Sequence, residues 1–229
     1  MSKPSRLLLS EQAYQEIRRR IIECDLRPGA AVSEPALSEQ LGVGRAGVRA
    51  ALTRLSQERL VRPVARQGYV VSPLTIEDVR NLLELRLVLE PHAARSAAGR
   101  ISVDEFQPVL EEFRKGYNSS DPRSLSSFLA ANRQARLLIA RTGGNERLVG
   151  IIAGIVDELE RYLRIGLIPH NRSRIFHEGL ESLVATLASG DAEASAELCR
   201  AQIEVSSQMI LEALYSQSSI LKQELVPQI

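Results

Sequence analysis

The chain has 229 residues, of which 44% are hydrophobic and 25% charged, and a formal net charge of +1. That balance is ordinary for a soluble protein of one or two domains. It contains no long uncharged apolar run of the kind that spans a membrane. Leu7-Leu8-Leu9, after Lys3 and Arg6, is too short for a signal peptide, so a cytoplasmic protein without membrane attachment is expected.

The small net charge hides an asymmetry. Residues 1–72 carry 12 Lys+Arg against 7 Asp+Glu, a net +5; residues 73–229 carry 17 against 21, a net −4. A basic N-terminal part suits a polyanion such as DNA, because each phosphate contact by Lys or Arg releases counterions. The acidic remainder does not. Two domains are therefore expected, 1–72 and 73–229. Cys24 and Cys199 fall in different domains and read as reduced thiols.

Residues 1–9 read as a flexible arm, and Ser10 as the cap of a first helix. Ala13, Ile17 and Ile21, with Tyr14 and Ile22, give that helix an apolar stripe, while Arg18-Arg19-Arg20 face solvent. Leu26-Arg27-Pro28-Gly29 breaks it. Ser33 caps the next helix, with Glu34 at its positive end.

From Ala36 to Val71 the pattern is helix, tight turn, helix and β-hairpin. Leu37 and Leu41 form one stripe, Gly42 permits the turn and Val43 points inward. Val48, Leu52 and Leu55 line the second helix at i, i+4, i+7. Arg45 and Arg49 project together from a different face. Leu60-Val61 and Tyr69-Val70-Val71 read as strands joined through Arg62, Arg66 and the turn pair Gln67-Gly68. This is the layout of a winged helix-turn-helix, which places the start of its second helix in the DNA major groove. The candidate DNA-contacting residues are Glu34, Gly44, Arg45, Arg49, Arg54, Arg66, Gln67 and Gly68.

Ser72-Pro73-Leu74-Thr75 reads as a linker. Thr75 caps a long helix that Pro91 kinks and Gly99 stops. Further helices are expected at about 102–117, 122–141, 145–166, 172–188 and 191–216, the last capped by Asp191, with breaks at Gly116, Gly143-Gly144, Pro169 and Gly190. No strand is expected after residue 72, and the tail beyond Ser216 reads as loosely held. The fold class is mainly α: a winged helix-turn-helix with a small β wing, then an all-α antiparallel bundle.

The chemistry of catalysis is thin. Only His92, His170 and His177 are present, with no Glu-x-x-His pair, no Cys-x-x-Cys pair, no phosphate-cradling glycine loop and no serine elbow. No catalytic residue, cofactor or enzyme activity is expected. Asn132 and Arg136 stand i, i+4 on an otherwise apolar helix, Gln202 lies among Leu198, Ile203 and Val205, and Arg86 interrupts leucines. Polar groups that converge inside a bundle need partners, and an anionic ligand supplies them. A bundle that only dimerises the protein stays open as the alternative.

The head resembles the GntR family of bacterial transcription regulators, in its FadR-like subgroup. The resemblance rests on Leu26-Arg27-Pro28-Gly29, Val32-Ser33-Glu34, Leu37-Ser38-Glu39-Gln40-Leu41-Gly42-Val43, Arg45, Val48-Arg49, Ala51-Leu52, Leu55, Glu58, Leu60-Val61 and Gly68. The bundle resembles the FCD effector domain through Arg86, Leu89-Glu90, Gly144-Asn145-Glu146-Arg147-Leu148, Leu187 and Gly190-Asp191. The resemblance implies a homodimer on a short palindromic double-stranded operator. It also implies an effector that acts from the bundle on the two heads, base and phosphate contacts by Arg45 and Arg49, and a wing tip at Gly68.

The chain departs from that family pattern in both parts. Gly44 replaces a hydroxyl residue before the first recognition arginine, and Gly47 stands where proline is common. Many FCD domains hold a divalent metal with one aspartate and three histidines. Those places fall here on Asn132, Arg136, Leu180 and Gln202, none of which suits the role. A metal-free bundle is therefore expected, with Arg136 standing where the cation would be and receiving a small organic-acid-like effector. Arg86, Asn132, Arg136, His177 and Gln202 form the candidate effector set.

Overall fold

The computed structural model describes residues 6–65, 68–118, 120–168 and 171–224. The chain divides after Thr75 into two compact units.

The first unit is built on three helices, α1 (Arg6–Ile22), α2 (Glu34–Leu41) and α3 (Arg45–Gln57), and three short strands, β1 (Ala31–Val32), β2 (Val61–Val64) and β3 (Gly68–Val71). The helix α1 begins at Arg6, so Ser10 lies inside it and not at its cap. Ile17 and Ile21 of α1 meet Val48, Leu52 and Leu55 of α3 in one fully buried cluster, closed by Leu37 and Val71. Burial of each such side chain contributes about 1.5–3 kcal/mol. Ser33 caps α2 by accepting from the Ala36 amide, and Gly42 ends it with a left-handed φ of 62°. The sheet is antiparallel in the order β1-β3-β2. The strand β1 has no counterpart in the expected elements. It is two residues long and exists only through its pairing with Val70 and Tyr69.

The second unit is all helix among the described residues: α4 (Ile76–Ala97), α5 (Val103–Lys115), α6 (Pro122–Thr142), α7 (Glu146–Leu167), α8 (Ser173–Ser189) and α9 (Ala192–Glu224). The expected helix boundaries hold closely because their stop signals are local. Asn145 and Asp191 accept from backbone amides at the starts of α7 and α9, and Gly116 and Gly190 end α5 and α8 at positive φ. Pro91 sits inside α4, which runs on to Ala97. The last helix is longer than expected: α9 continues past Ser216 to Glu224. The helices α4 and α9 pack together, and α6 lies against both α5 and α7. Phe106, Phe128, Leu159, Leu167, Leu183 and Ile203 fill the interior.

Candidate functional site

On α3 the side chains separate by angle. At 3.6 residues per turn Arg45 and Arg49 lie about 40° apart, whereas Arg54 lies about 180° from Arg45. Arg45 is exposed at the first position of α3, directly after Gly44, whose extended backbone supplies no side-chain cap. Arg49 is exposed and anchored: its Nε and Nη2 donate to Glu34 Oε1 and Oε2 at 2.9 and 2.8 Å. That hydrogen-bonded guanidinium holds the Glu34 carboxyl below the usual range. Glu34 therefore acts here as the residue that positions Arg49.

Arg54 has other partners. Its guanidinium lies 3.6 Å over the Tyr14 ring and pairs with Glu11 at 3.0 Å and Glu58 at 3.3 Å. It ties α3 to α1 on the side away from Arg45. Gly68 is the first residue of β3, paired with Val64, and not the apex of the hairpin. Its φ is +89°, and a Cβ there would meet the Val32 carbonyl oxygen at 3.0 Å. This glycine is required by the close passage of β1. Arg66 and Gln67 lie outside the described residues. Gly47 also has a packing role that its departure from proline did not suggest: a Cβ there would approach Val43 Cγ1 to 2.9 Å and Ser10 Cα to 3.7 Å.

In the second unit a cavity of about 330 Å³ opens between α5, α6, α8 and α9. Asn132, Arg136 and Gln202 all line it, together with Leu180. The four places named for metal ligands thus do converge, but on two amides, a guanidinium and a leucine. Among the described residues no group of three or more His, Cys, Asp or Glu is placed to hold a metal ion. Arg136 cannot give up its proton and Leu180 has no donor atom, so this residue set does not fit the family's divalent metal.

The other two candidates lie elsewhere. His177 lines a separate surface pocket with Arg114, Ser173 and Glu181, and its Nδ1 is 3.8 Å from Glu181. Arg86 does not line the cavity. It is buried beside Glu90, to which its Nε and Nη2 donate at 2.5 and 3.2 Å, and its Nη1 lies 3.4 Å from Ser206 Oγ.

Glu90 is the residue that the candidate set lacked. Its second carboxylate oxygen is 3.7 Å from Arg136 Nη1, so one buried carboxylate faces two buried guanidinium groups. Burial alone would raise its pKa, but Arg86 and Arg136 outweigh that and hold it below the usual range. Arg86 and Glu90 stand i, i+4 with opposite charge on a helix that is otherwise largely apolar inward, and that spacing was the available signal. Arg136 has no hydrogen-bond partner at Nε or Nη1. Gln202 donates from Nε2 to the Gly179 carbonyl at 2.6 Å, which leaves its amide oxygen as an acceptor.

Comparison with known proteins decides the family. Residues 9–71 match the bacterial regulatory proteins of the gntR family, and residues 81–205 match the FCD domain. The chain is a GntR-family regulator with an FCD domain. A protein described as the uncharacterized HTH-type transcriptional regulator BphR of Paraburkholderia xenovorans (strain LB400) is 26% identical over 211 residues, covering 88% of this chain and 85% of that one. The Nta operon transcriptional regulator of Aminobacter aminovorans is 28% identical over 188 residues, covering 82% and 88%. Among solved structures, a GntR regulator from Rhodococcus sp. RHA1 shares the fold with a TM-score of 0.74 at 23% identity, covering 89% of this chain and 98% of that one. McbR/YncC of E. coli does so with a TM-score of 0.73 at 24% identity, covering 95% and 100%. The regulator is thus a DNA-binding transcriptional regulator whose first unit carries the gntR match. No described helix is long and apolar enough to cross a membrane.

Proposed function

We propose that this GntR regulator is a cytoplasmic homodimer that reads a two-fold symmetric operator and is controlled by a small anion bound at Arg136. Arg45 and Arg49 supply the base and phosphate contacts, with Glu34 setting the direction of Arg49. The wing residues Arg66, Gln67 and Gly68 and the backbone at Gly44 flank them on the duplex. Arg54 braces the head from its far side.

The observation that carries the effector reading is the state of Arg136. It is only 8% exposed, borders a 330 Å³ cavity beside two amides, and has two nitrogens without hydrogen-bond partners. A buried guanidinium left in that state costs free energy that an anion recovers. Support for a dimer comes from the outer surface of α4 and its neighbour α7. Leu85 and Val88 of α4 and Ile151 of α7 are 48%, 65% and 53% exposed, large apolar side chains that a second copy would cover.

The test couples both ends of the molecule. A duplex selected by the protein from a random pool should show two symmetry-related half-sites in a protection footprint. An organic acid that raises the thermal midpoint should also change affinity for that duplex, because a ligand that binds two states unequally shifts their balance. A monomer protecting a single unsymmetric site, or an acid that stabilises without altering DNA affinity, would overturn this reading.

A further inference from the structure

We infer that the effector is a monocarboxylate on an aromatic or compact apolar body, bound by the guanidinium of Arg136 without a metal ion. This rests on the reading of the cavity as the effector site and names the ligand class that the site selects.

The charge of the site sets the first limit. Arg86, Glu90 and Arg136 are all buried, and their formal charges leave one positive charge unbalanced. Glu90 is committed to Arg86 by two hydrogen bonds, so the surplus sits on Arg136. One carboxylate neutralises it. A second or third carboxylate would enter a low-dielectric site with no cation left to meet it. Among the described residues, the only other charged side chain lining the cavity is Glu178, which is exposed and acidic, and its 3.7 Å pairing with Arg174 lies outside the lining.

The walls set the second limit. Phe128, Asn132 and Arg136 follow one another at i, i+4 and i+8 on α6, spanning about 12 Å along the axis. At the Phe128 end, Phe113 stacks on Phe128 with centroids 4.7 Å apart, and Phe176 meets both rings edge-on at 6.3 and 5.7 Å. Phe113 and Phe176 line the cavity, so it runs from aromatic walls to a guanidinium. Between these ends the polar lining includes Asn132, 5% exposed, and the amide of Gln202, whose Nε2 is held by the Gly179 carbonyl. Leu180, Leu198 and Val205 complete the apolar wall. A hydroxyl-rich sugar acid would leave most of its hydroxyls facing carbon there, and each unmatched hydroxyl is costly.

Size sets the third limit. A dry apolar cavity of about 150 Å³ accepts benzene. At about 330 Å³ this one has room for a ring and a short arm bearing a carboxylate.

The experiment uses the full-length protein in chelator, with thermal shift and calorimetry as readouts. The probes are phenylacetate, 3-phenylpropanoate and hexanoate, the uncharged twin phenylacetamide, and gluconate and citrate. The apolar monocarboxylates should raise the midpoint by several degrees and show saturable heats. Phenylacetamide should do neither, and the Arg136→Met protein should respond to none of them. A stronger response to gluconate or citrate that is lost in Arg136→Met would overturn the ligand class and leave the anion site standing. No response to any anion at millimolar concentration, or an equal response in Arg136→Met, would overturn both. The amide comparison decides the role of charge even where the variant folds poorly.

Discussion

Glu34 grips Arg49 through both carboxylate oxygens, from the first turn of α2 to the first turns of α3. The pair is exposed on the arginine side, 67% against 19% for the glutamate side chain, so it adds little to stability. Its effect is geometric: it reduces the rotamers that a long, flexible side chain samples before DNA arrives. Arg49→Ala should weaken binding to a selected duplex by about 1–3 kcal/mol, the size of one good base contact. Arg49→Lys should recover little, because an ammonium cannot take the two-point grip. Glu34→Ala should cost less, about 1 kcal/mol, through lost preorganisation. Gel-shift titration at fixed salt measures all three.

Arg54 behaves oppositely. It stacks on Tyr14 and pairs with Glu11 and Glu58, joining α1 to α3. Arg54→Ala should lower the urea midpoint of the head by an amount corresponding to about 1 kcal/mol. Duplex affinity of the folded fraction should stay within about twofold of wild type, a change of under 0.5 kcal/mol.

Gly68 should respond as a packing residue. Alanine there must hold a left-handed backbone and place its Cβ 3.0 Å from the Val32 carbonyl. Gly68→Ala should destabilise the head by about 1–2 kcal/mol, read as a lower urea midpoint. DNA binding should fall in step with the folded fraction, since both effects have one cause.

The buried triad predicts a sign reversal between neighbouring substitutions. Glu90→Gln leaves two guanidinium groups with no anion and should cost the bundle about 3–5 kcal/mol. Arg136→Met leaves the neutral Arg86–Glu90 pair and an apolar side chain of similar length, and should raise the midpoint of the ligand-free protein. Acid narrows the gap between proteins that keep Glu90 and Glu90→Gln. The Glu90 carboxyl titrates below its value in the unfolded chain. Its stabilisation is therefore complete above the ordinary carboxylate range, about 4.3 in an unfolded chain, and is lost as the pH falls below that. Wild-type midpoints should drop between pH 5 and pH 3 more steeply than those of Glu90→Gln.

The helix boundaries between α4 and the start of α9, the Gly42 turn, the Ser33 cap and the separation of Arg45–Arg49 from the apolar stripe of α3 are legible in the amino-acid sequence alone, whereas the start of α1 at Arg6 and the run of α9 to Glu224 are not. Each legible feature depends on neighbours within a turn or two of the chain, where periodicity and capping act. The convergence of Asn132, Arg136 and Gln202 on one cavity is legible there too, through the resemblance to the family's pattern and not from any local signal. Other features depend on the tertiary structure. Two-residue β1 is a strand only because β3 lies beside it, and Gly68 needs its small size only because Val32 passes 3.0 Å away. Three of the four phenylalanines gather from α5, α6 and α8 against one end of α6. Arg86 and His177, expected in the cavity, point instead to Glu90 and to a separate pocket. Side-chain spacing along a helix shows which residues share a face, but only packing against other helices decides what that face meets. The buried carboxylate of Glu90, hydrogen-bonded to Arg86 and only 3.7 Å from Arg136, therefore faces both guanidinium groups only where α4 and α6 come together.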